Sequence, residues 1–449
     1  MCPKLAHLRY YLCGRVPKSR KKSLTLHLKR SRADKRPLNV STNLYNILRN
    51  FLIVAKAWSP VSPIRKFRFL HNMRKRLDFI DLFAGCGGLS LGLEQAGFEP
   101  ILVNEIVSQF SETYRRNRNL PNESIYVGDI CQLNNEFTDG TRFDGITLVC
   151  GGPPCQGFSM ANRQRIIDDP RNMLYKEYLK FLCKVRPQFF IMENVRGMQS
   201  RWSEIEADFN MFLNATEHDY KFTGKLLLAE DYGVPQHRER FIVIGNRLGI
   251  DPEEIFNKIF TLKRNPFVLG DALFGLPPLG VKETKGKNEI EDDNTGYTEC
   301  SFCYPLTDFY HFINGDRKIE VLYNHKNRYN NPRDVEIYTR LPQGGNSLHP
   351  SIADIMPYSR RNDIFKDKYF KLQDDRICKT ITSHMRYDCN MYIHPWYSRG
   401  LSPREAARIQ TFPDDFIFYG AQNMWYAQIG NAVPVKLAQA IGTAVASYL

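Results

Sequence analysis

An apolar run from Leu77 to Phe83, broken by Asp78 and Asp81, passes into Ala84-Gly85-Cys86-Gly87-Gly88 and then into a helical pattern from Leu89 to Ala96 that Gly97 closes. Strand, glycine turn and helix in that order open a nucleotide-binding α/β unit. The glycines do not fit G-x-G-x-x-G, because Ser90 stands where the third would fall. A smaller nucleoside ligand held against the turn is therefore expected in place of a dinucleotide pyrophosphate. A second strand, Pro100 to Val103, ends at Asn104-Glu105, and a third, Ser124 to Val127, ends at Gly128-Asp129. Glu105 is placed to accept both ribose hydroxyls and Asp129 an exocyclic amine of adenine. Either acid alone reads as an ordinary loop charge. Together, at successive strand ends after a glycine turn, they suggest a nucleoside pocket, since open α/β sheets bind ligands at the carboxyl ends of their strands.

A fourth apolar strand, Gly145 to Val149, runs into Gly151-Gly152-Pro153-Pro154-Cys155-Gln156-Gly157-Phe158-Ser159. Glycine permits close approach of a ligand, and proline fixes φ and keeps its predecessor extended. Most intracellular cysteines are small core residues, but this setting presents Cys155 on a loop. The polar, basic stretch from Ser159 to Arg171, with Arg163 and Arg165, reads as a lid beside a nucleophile, and a helix follows from Met173 to Val185. Gln188 to Met192 is a buried strand delivering Glu193-Asn194. Phe222 to Leu228 and Phe241 to Gly245 form a hairpin pair, and before the second comes Gln236-His237-Arg238-Glu239-Arg240. Arg238 and Arg240, two residues apart, are expected on one strand face, aimed at the edge that carries Cys155 and Glu193.

From Asn246 to Pro395 the α/β rhythm stops. A polar insertion, Lys282 to Thr298, precedes short segments rich in Tyr, Asn, His and Arg, such as Tyr323-Asn324-His325-Lys326-Asn327-Arg328-Tyr329. Interleaved aromatic and basic residues suit phosphate and base contacts, so 246–395 is expected to be a second domain. Ser402-Pro403-Arg404-Glu405 is a capping box that opens a helix through Gln410. The chain closes with Gly430-Asn431-Ala432-Val433-Pro434 and a helix from Val435 to Leu449 that returns to the first domain.

The formal charge of +14 suits a polyanionic partner, but it is unevenly placed. Residues 1–76 hold 20 Lys and Arg against one acid, Asp34, whereas the remainder has 42 basic and 47 acidic residues. The basic extension reads as a non-specific DNA-binding tail, an organellar presequence, or a solvated leader with Met73 as an alternative start. Its apolar stretch from Leu44 to Trp58 is too short and too charged to span a bilayer. Eleven cysteines without framework spacing, and no secretory signal, point to reduced thiols in the cytoplasm. Cys300-x-x-Cys303 is a single pair where structural zinc needs four ligands, so no metal is expected.

Six blocks stand in one order: Phe79-Ile80-Asp81-Leu82-Phe83-Ala84-Gly85, Gly152-Pro153-Pro154-Cys155-Gln156, Glu193-Asn194-Val195, Gln236-His237-Arg238-Glu239-Arg240, Arg404-Glu405-Ala406-Ala407-Arg408 and Gly430-Asn431-Ala432-Val433. Over residues 77–449 the chain thereby resembles the cytosine carbon-5 DNA methyltransferase family, of the restriction-modification type with a single catalytic domain. The resemblance implies a Rossmann-like S-adenosylmethionine-dependent methyltransferase domain (77–245), a smaller, irregular target-recognition domain (246–395), and a return segment whose last helix packs beside the first strand (396–449). It implies Cys155 as nucleophile, Glu193 at ring nitrogen 3, Arg240 at the carbonyl oxygen and Arg238 in support. It implies that Phe83, Gly85, Gly87, Glu105, Asp129, Ile130, Pro154, Leu174 and Asn431 bind the S-adenosyl-L-methionine. The substrate would be double-stranded DNA with its target base flipped, the partner in function a cognate restriction endonuclease, and the working form a monomer without membrane attachment. Gly344-Gly345-Asn346, and Lys379 to His384 with Arg386, are expected to be groove-contacting loops. A transfer-RNA methyltransferase built on the same blocks and a catalytically silent DNA-binding protein are the competing readings.

Overall fold

The computed structural model describes residues 77–137, 143, 145–154, 174–214, 220–282, 284–286, 290–357 and 368–449. The chain divides into two units, Met1–Arg74 and Lys75–Leu449, and the described residues all belong to the second. The basic extension 1–76, the lid Ser159 to Arg171 and Cys155 itself lie outside the described residues.

Seven strands form the main sheet in the order β3-β2-β1-β4-β5-β7-β6. They are β1 (Leu77–Leu82), β2 (Phe98–Glu105), β3 (Ile125–Val127), β4 (Leu148–Gly151), β5 (Phe189–Val195), β6 (Lys221–Leu228) and β7 (Glu239–Asn246). Neighbouring strands from β3 through β5 pair in parallel, and only β7 is reversed, inserted between β5 and β6. The reversal brings the start of β7 to the edge where the parallel strands end.

Strand alternation divides the apolar residues between two faces. Phe79, Leu148, Phe189, Ile191, Ile242 and Ile244 point to one side, under α1 (Gly88–Gln95), α6 (Pro252–Phe260) and the final helix α12 (Val435–Ala446). Ile80, Leu82, Val149, Phe190, Met192 and Val243 point to the other. That face is covered by α3 (Ile130–Glu136), α4 (Leu174–Val185) and α5 (Trp202–Asn214), while α2 (Ser108–Arg116) follows β2. The final helix thus returns to the sheet by packing on α1, with Leu437, Ile441 and Val445 fully buried.

Two boundaries differ from the sequence expectation. The α/β layer does not stop at Asn246: Asp251 caps α6, Pro252 opens it, and Ile255, Phe256 and Ile259 enter the core of the main sheet. Nor is Pro395 a packing boundary. Helices α7 (Leu269–Leu273) and α8 (Asp308–Asn314) share one core with α10 (Pro403–Ile409) and α11 (Gln422–Asn431), through Leu273, Phe309, Ile381, Ile409, Phe412 and Ile429 among others. The rest of 246–395 carries a two-stranded antiparallel sheet, β8 (Gly296–Ser301) with β9 (Val321–Lys326), and α9 (Pro332–Arg340), over two small cores of its own. Among the described residues no helix is long and apolar enough to cross a membrane.

Candidate active site

The carboxyl ends of β1 to β5 and the start of β7 gather along one edge. Phe83 and Gly85 both take positive φ, 59° and 58°, which turns the chain sharply out of β1. The turn is held by Glu105 at the end of β2. One carboxylate oxygen accepts from the Gly85 N–H (2.7 Å), the other from the Val107 N–H (2.8 Å). Burial raises the Glu105 carboxyl above its ordinary value, against the pull of those two donors. Each oxygen keeps a lone pair for another donor, and the space above the Gly85 Cα is open. Ile106 and Val127, 66% and 52% exposed, add apolar surface at the ends of β2 and β3. Asp129 caps α3, one oxygen accepting from the Cys131 N–H at 2.8 Å, and Ile130 is buried in the core. A carboxylate with unspent acceptors, an open glycine turn and exposed apolar side chains suit a nucleoside-containing cofactor such as S-adenosylmethionine.

Beneath the turn lies a polar cluster that sequence reasoning missed. Asp81 accepts from the Ser90 hydroxyl, which in turn accepts from the Tyr114 hydroxyl at 2.8 Å. Complete burial pushes the Asp81 carboxyl up to about 7. Arg118 lies 3.8 Å over the Tyr114 ring and donates to the Gly87 carbonyl at 3.0 Å, so Gly87, the other glycine expected at the cofactor, is gripped from behind.

Further along the edge, Glu193 and Arg240 meet. Glu193 pairs in register with Ile242, and Arg240 stands two residues away on the same face of the neighbouring strand, the diagonal that long side chains span. Arg240 Nε lies 2.5 Å from Glu193 Oε1, and each side chain keeps 12% exposure. Burial lowers the Arg240 guanidinium from its ordinary value while the Glu193 charge raises it. Gly152 completes the arrangement, since a Cβ there would come to 3.0 Å from Glu193 Oε2. Asn194, which the sequence places beside Glu193 without a role of its own, donates to the Pro153 carbonyl at 2.9 Å and fixes the proline pair two residues before Cys155.

Arg238 does not share that edge. It precedes β7, so strand alternation does not govern it, and its side chain turns inward. The guanidinium donates to the carbonyls of Ile381 (2.7 Å), Gly430 (3.1 Å) and Ala432 (2.8 Å). It thereby brackets Asn431, which is exposed at the end of α11. Pro154 and Leu174, at the ends of the undescribed loop, are both half-buried. Of the two loops expected at the groove, Gly344 to Asn346 is tied to the segment after it, by an isolated bridge between Asn346 and Phe370 and a hydrogen bond from the Gly344 N–H to the Lys371 carbonyl, whereas Lys379 to His384 is tied to the entry of β7, with the Thr380 hydroxyl donating to the His237 carbonyl.

An open, mostly parallel sheet with one reversed strand and helices on both faces has the architecture of a Rossmann-like methyltransferase domain. The family model described as C-5 cytosine-specific DNA methylase matches residues 77–447. Similar proteins include the Type II methyltransferase M1.HphI of Haemophilus parahaemolyticus, 32% identical over 386 residues (82% of this chain, 86% of the relative). Another is M.DdeI of Desulfomicrobium norvegicum, 32% identical over 400 residues (83% and 89%). Among solved structures, a prophage-encoded DNA modification methyltransferase of E. coli superposes with TM-score 0.62 at 28% identity, covering 83% of this chain and 99% of that one. Dnmt2 of S. pombe shares the fold at TM-score 0.51 and 16% identity, over 83% and 99%. The chain belongs to the C-5 cytosine-specific DNA methylase family.

Proposed function

We propose that the chain transfers a methyl group from S-adenosyl-L-methionine to carbon 5 of a cytosine turned out of a specific duplex sequence, through a covalent adduct of Cys155. The observation that carries this reading is the Glu193–Arg240 pair at the sheet edge, beside a Pro153 carbonyl that Asn194 holds two residues short of Cys155.

Carbon 5 of cytosine is a weak nucleophile until something adds to carbon 6, and a thiolate is a soft, reversible nucleophile for that addition. Cys155 supplies it. Glu193 stabilises the proton on ring nitrogen 3 as electron density enters the ring, and Arg240 donates to the carbonyl oxygen. Arg238 acts through position, fixing Asn431 and the start of β7. The cofactor, when bound, supplies an electrophilic methyl group. Glu105 holds its ribose, Asp129 its adenine, and Phe83, Gly85, Gly87, Ile130, Pro154, Leu174 and Asn431 shape the pocket. Loss of the carbon 5 proton and expulsion of Cys155 release the product. The target base must leave the stack, at a cost of about a few kcal/mol.

Residues 246–395 act as the reader of the flanking sequence. The relatives named as Type II methyltransferases support a place in a restriction-modification system; a cognate endonuclease as functional partner and a cytoplasmic monomer as the working form belong to the same proposal. Transfer of labelled methyl from S-adenosylmethionine to mixed-sequence duplex DNA tests this. Label is expected with the wild type and none with Cys155→Ser, and mapping the modified cytosines gives the recognition sequence. Label on transfer RNA in place of DNA would overturn the substrate.

A further inference from the structure

Between the entry to β7 and the recognition loops lies a cavity of about 440 Å³ that no step above uses. His237 and Gln373 border it with polar groups; Phe370, Leu372, Ile377, Met391 and Tyr392 give it aromatic and apolar walls. Arg376 and Lys379 also line it, and no acidic residue is among those that do. The Lys379 ammonium sits 5.0 Å from the Phe370 ring centre and 5.8 Å from that of Tyr392. Arg376 is exposed. The walls are fixed to the catalytic edge by backbone: Cys378 bridges Gln236, the His237 N–H donates to the Cys378 carbonyl at 2.7 Å, and the Thr380 hydroxyl donates to the His237 carbonyl at 2.6 Å.

We propose that this cavity receives one nucleotide of the DNA substrate other than the target cytosine, its base against Phe370 and its phosphate beside Arg376 and Lys379. The inference rests on the DNA substrate proposed above. Aromatic walls with cations beside them match the two halves of a nucleotide, a flat π-faced base and an anion. Position supports the same occupant. His237 stands three residues before Arg240, about 10 Å at roughly 3.3 Å per extended residue. At about 3.4 Å per nucleotide along one strand, the occupant lies within about three nucleotides of the target. The cavity also adjoins the bridge between Asn346 and Phe370, so it lies next to one of the loops expected at the groove, and Lys379 and Thr380 of the other line it.

A protein–DNA cycle with the full-length chain tests this. The probe is a duplex carrying the mapped target sequence, with each position flanking the cytosine replaced in turn by an abasic site. For wild type, one position within about three nucleotides should weaken binding by roughly 5- to 150-fold, the range for a base stacked on an aromatic side chain. Phe370→Ala should weaken the intact duplex by a similar factor and become insensitive to that one abasic site. Lys379→Gln, a change less disturbing to the fold, should lower the slope of log affinity against log salt by about 1. Affinity for S-adenosylmethionine, measured alongside, should be unchanged in both variants. Wild-type sensitivity to the abasic site that persists in Phe370→Ala, with an unchanged salt slope in Lys379→Gln, would overturn the pocket while leaving the DNA substrate intact. A wild type that binds no duplex would overturn the substrate itself.

Discussion

Two regions of this protein hold buried charge, and they use it in opposite ways. In the return segment every guanidinium is spent on the protein. Arg399 grips Glu405 through both terminal nitrogens (2.8 and 2.7 Å), and Arg408 grips Asp414 through Nε and Nη2 (2.7 and 2.8 Å). Arg404, without a carboxylate partner in that set, donates to the carbonyls of Tyr323, Pro413 and Phe416. At the sheet edge, Glu193 and Arg240 share one close contact and retain exposure. A charge completely satisfied within the fold has nothing left for a ligand, whereas one left partly open does. The difference lies in burial and partners, since Glu405 and Glu193 are the same residue type.

The largest effect should come from breaking a spent pair. Arg408→Ala would leave the Asp414 carboxylate buried with only Asn314 as side-chain partner, and loss of one member of a buried pair costs about 3–5 kcal/mol. Burial alone would raise the Asp414 carboxyl, but the charge and hydrogen bonds of Arg408, together with the Arg404 charge and the Asn314 hydrogen bond, outweigh it and hold the carboxyl below its ordinary value. Denaturant unfolding of wild type and variant gives the number. A loss under about 1 kcal/mol would mean that the network is ornamental and the comparison misplaced.

A pH measurement sharpens the same contrast. His325 is fully buried, its Nε2 2.9 Å from the Pro277 carbonyl, which places a proton on Nε2, and its Nδ1 3.0 Å from the Ser402 hydroxyl, which can donate to the neutral ring. Burial holds its pKa down at about 4 from an ordinary 6.5; Glu405 pulls it up, while Arg399 and Arg404 push it further down. Below pH 6.5 the unfolded chain takes a proton that the folded chain refuses. The stabilising contribution of the neutral ring is therefore complete above pH 6.5 and declines as pH falls towards 4, by roughly 3 kcal/mol at about 1.4 kcal/mol per unit. Because Asp81 titrates with opposite sign in the same range, the quantity to follow is the stability difference between wild type and His325→Asn. It should shrink by about that amount between pH 6.5 and 4, and a constant difference would show that His325 is not held neutral.

Glu193→Gln probes the open region. Removing a group that assists proton transfer costs roughly 100-fold or more in rate, while the fold should lose only about 1 kcal/mol, the scale of an ion pair that solvent still reaches. Single-turnover methyl transfer and thermal unfolding, read together, check both halves. A variant that fails mainly by unfolding would move Glu193 into the company of Glu405.

Much of the sheet was legible because periodicity and punctuation agree: β1, its glycine turn, α1 and β2 sit close to where the pattern puts them. The strand expected from Gly145 begins later, at Leu148, because Gly145 takes φ +83° and turns, and it continues to Gly151 in register with Leu82 and Met192. Helix α6 was announced by Asp251-Pro252 and overlooked in favour of a domain boundary. What could not be read is which polar residue serves which purpose. Arg238, Arg240, Arg404 and Arg408 are identical as letters, and only the backbone that surrounds them in space, from Ile381 to Ala432 for Arg238, decides that three face inward. The roles of Asn194 and Tyr114 could not be read for the same reason, since their partners at Pro153 and Ser90 are 41 and 24 residues away.

Glu105 stands between the two regions and gives the smallest and most discriminating effect. Each of its oxygens spends one acceptor on the fold, at Gly85 and Val107, and keeps one for a ligand. Glu105→Gln preserves shape but turns one of those oxygens into an amide donor, which would face a backbone N–H and lose a hydroxyl partner on the ribose. A hydrogen bond to a charged group is worth about 1.5–3 kcal/mol, so affinity for S-adenosylmethionine should fall by about tenfold or somewhat more, measured by calorimetry. Thermal stability should move by only a few degrees, because the turn keeps one of its two anchors. If stability collapsed while cofactor affinity survived, Glu105 would belong with Glu405 as a residue of the fold. If neither changed, the open acceptors at this edge would not be what holds the ribose, and the pocket would have to be sought around Asp129.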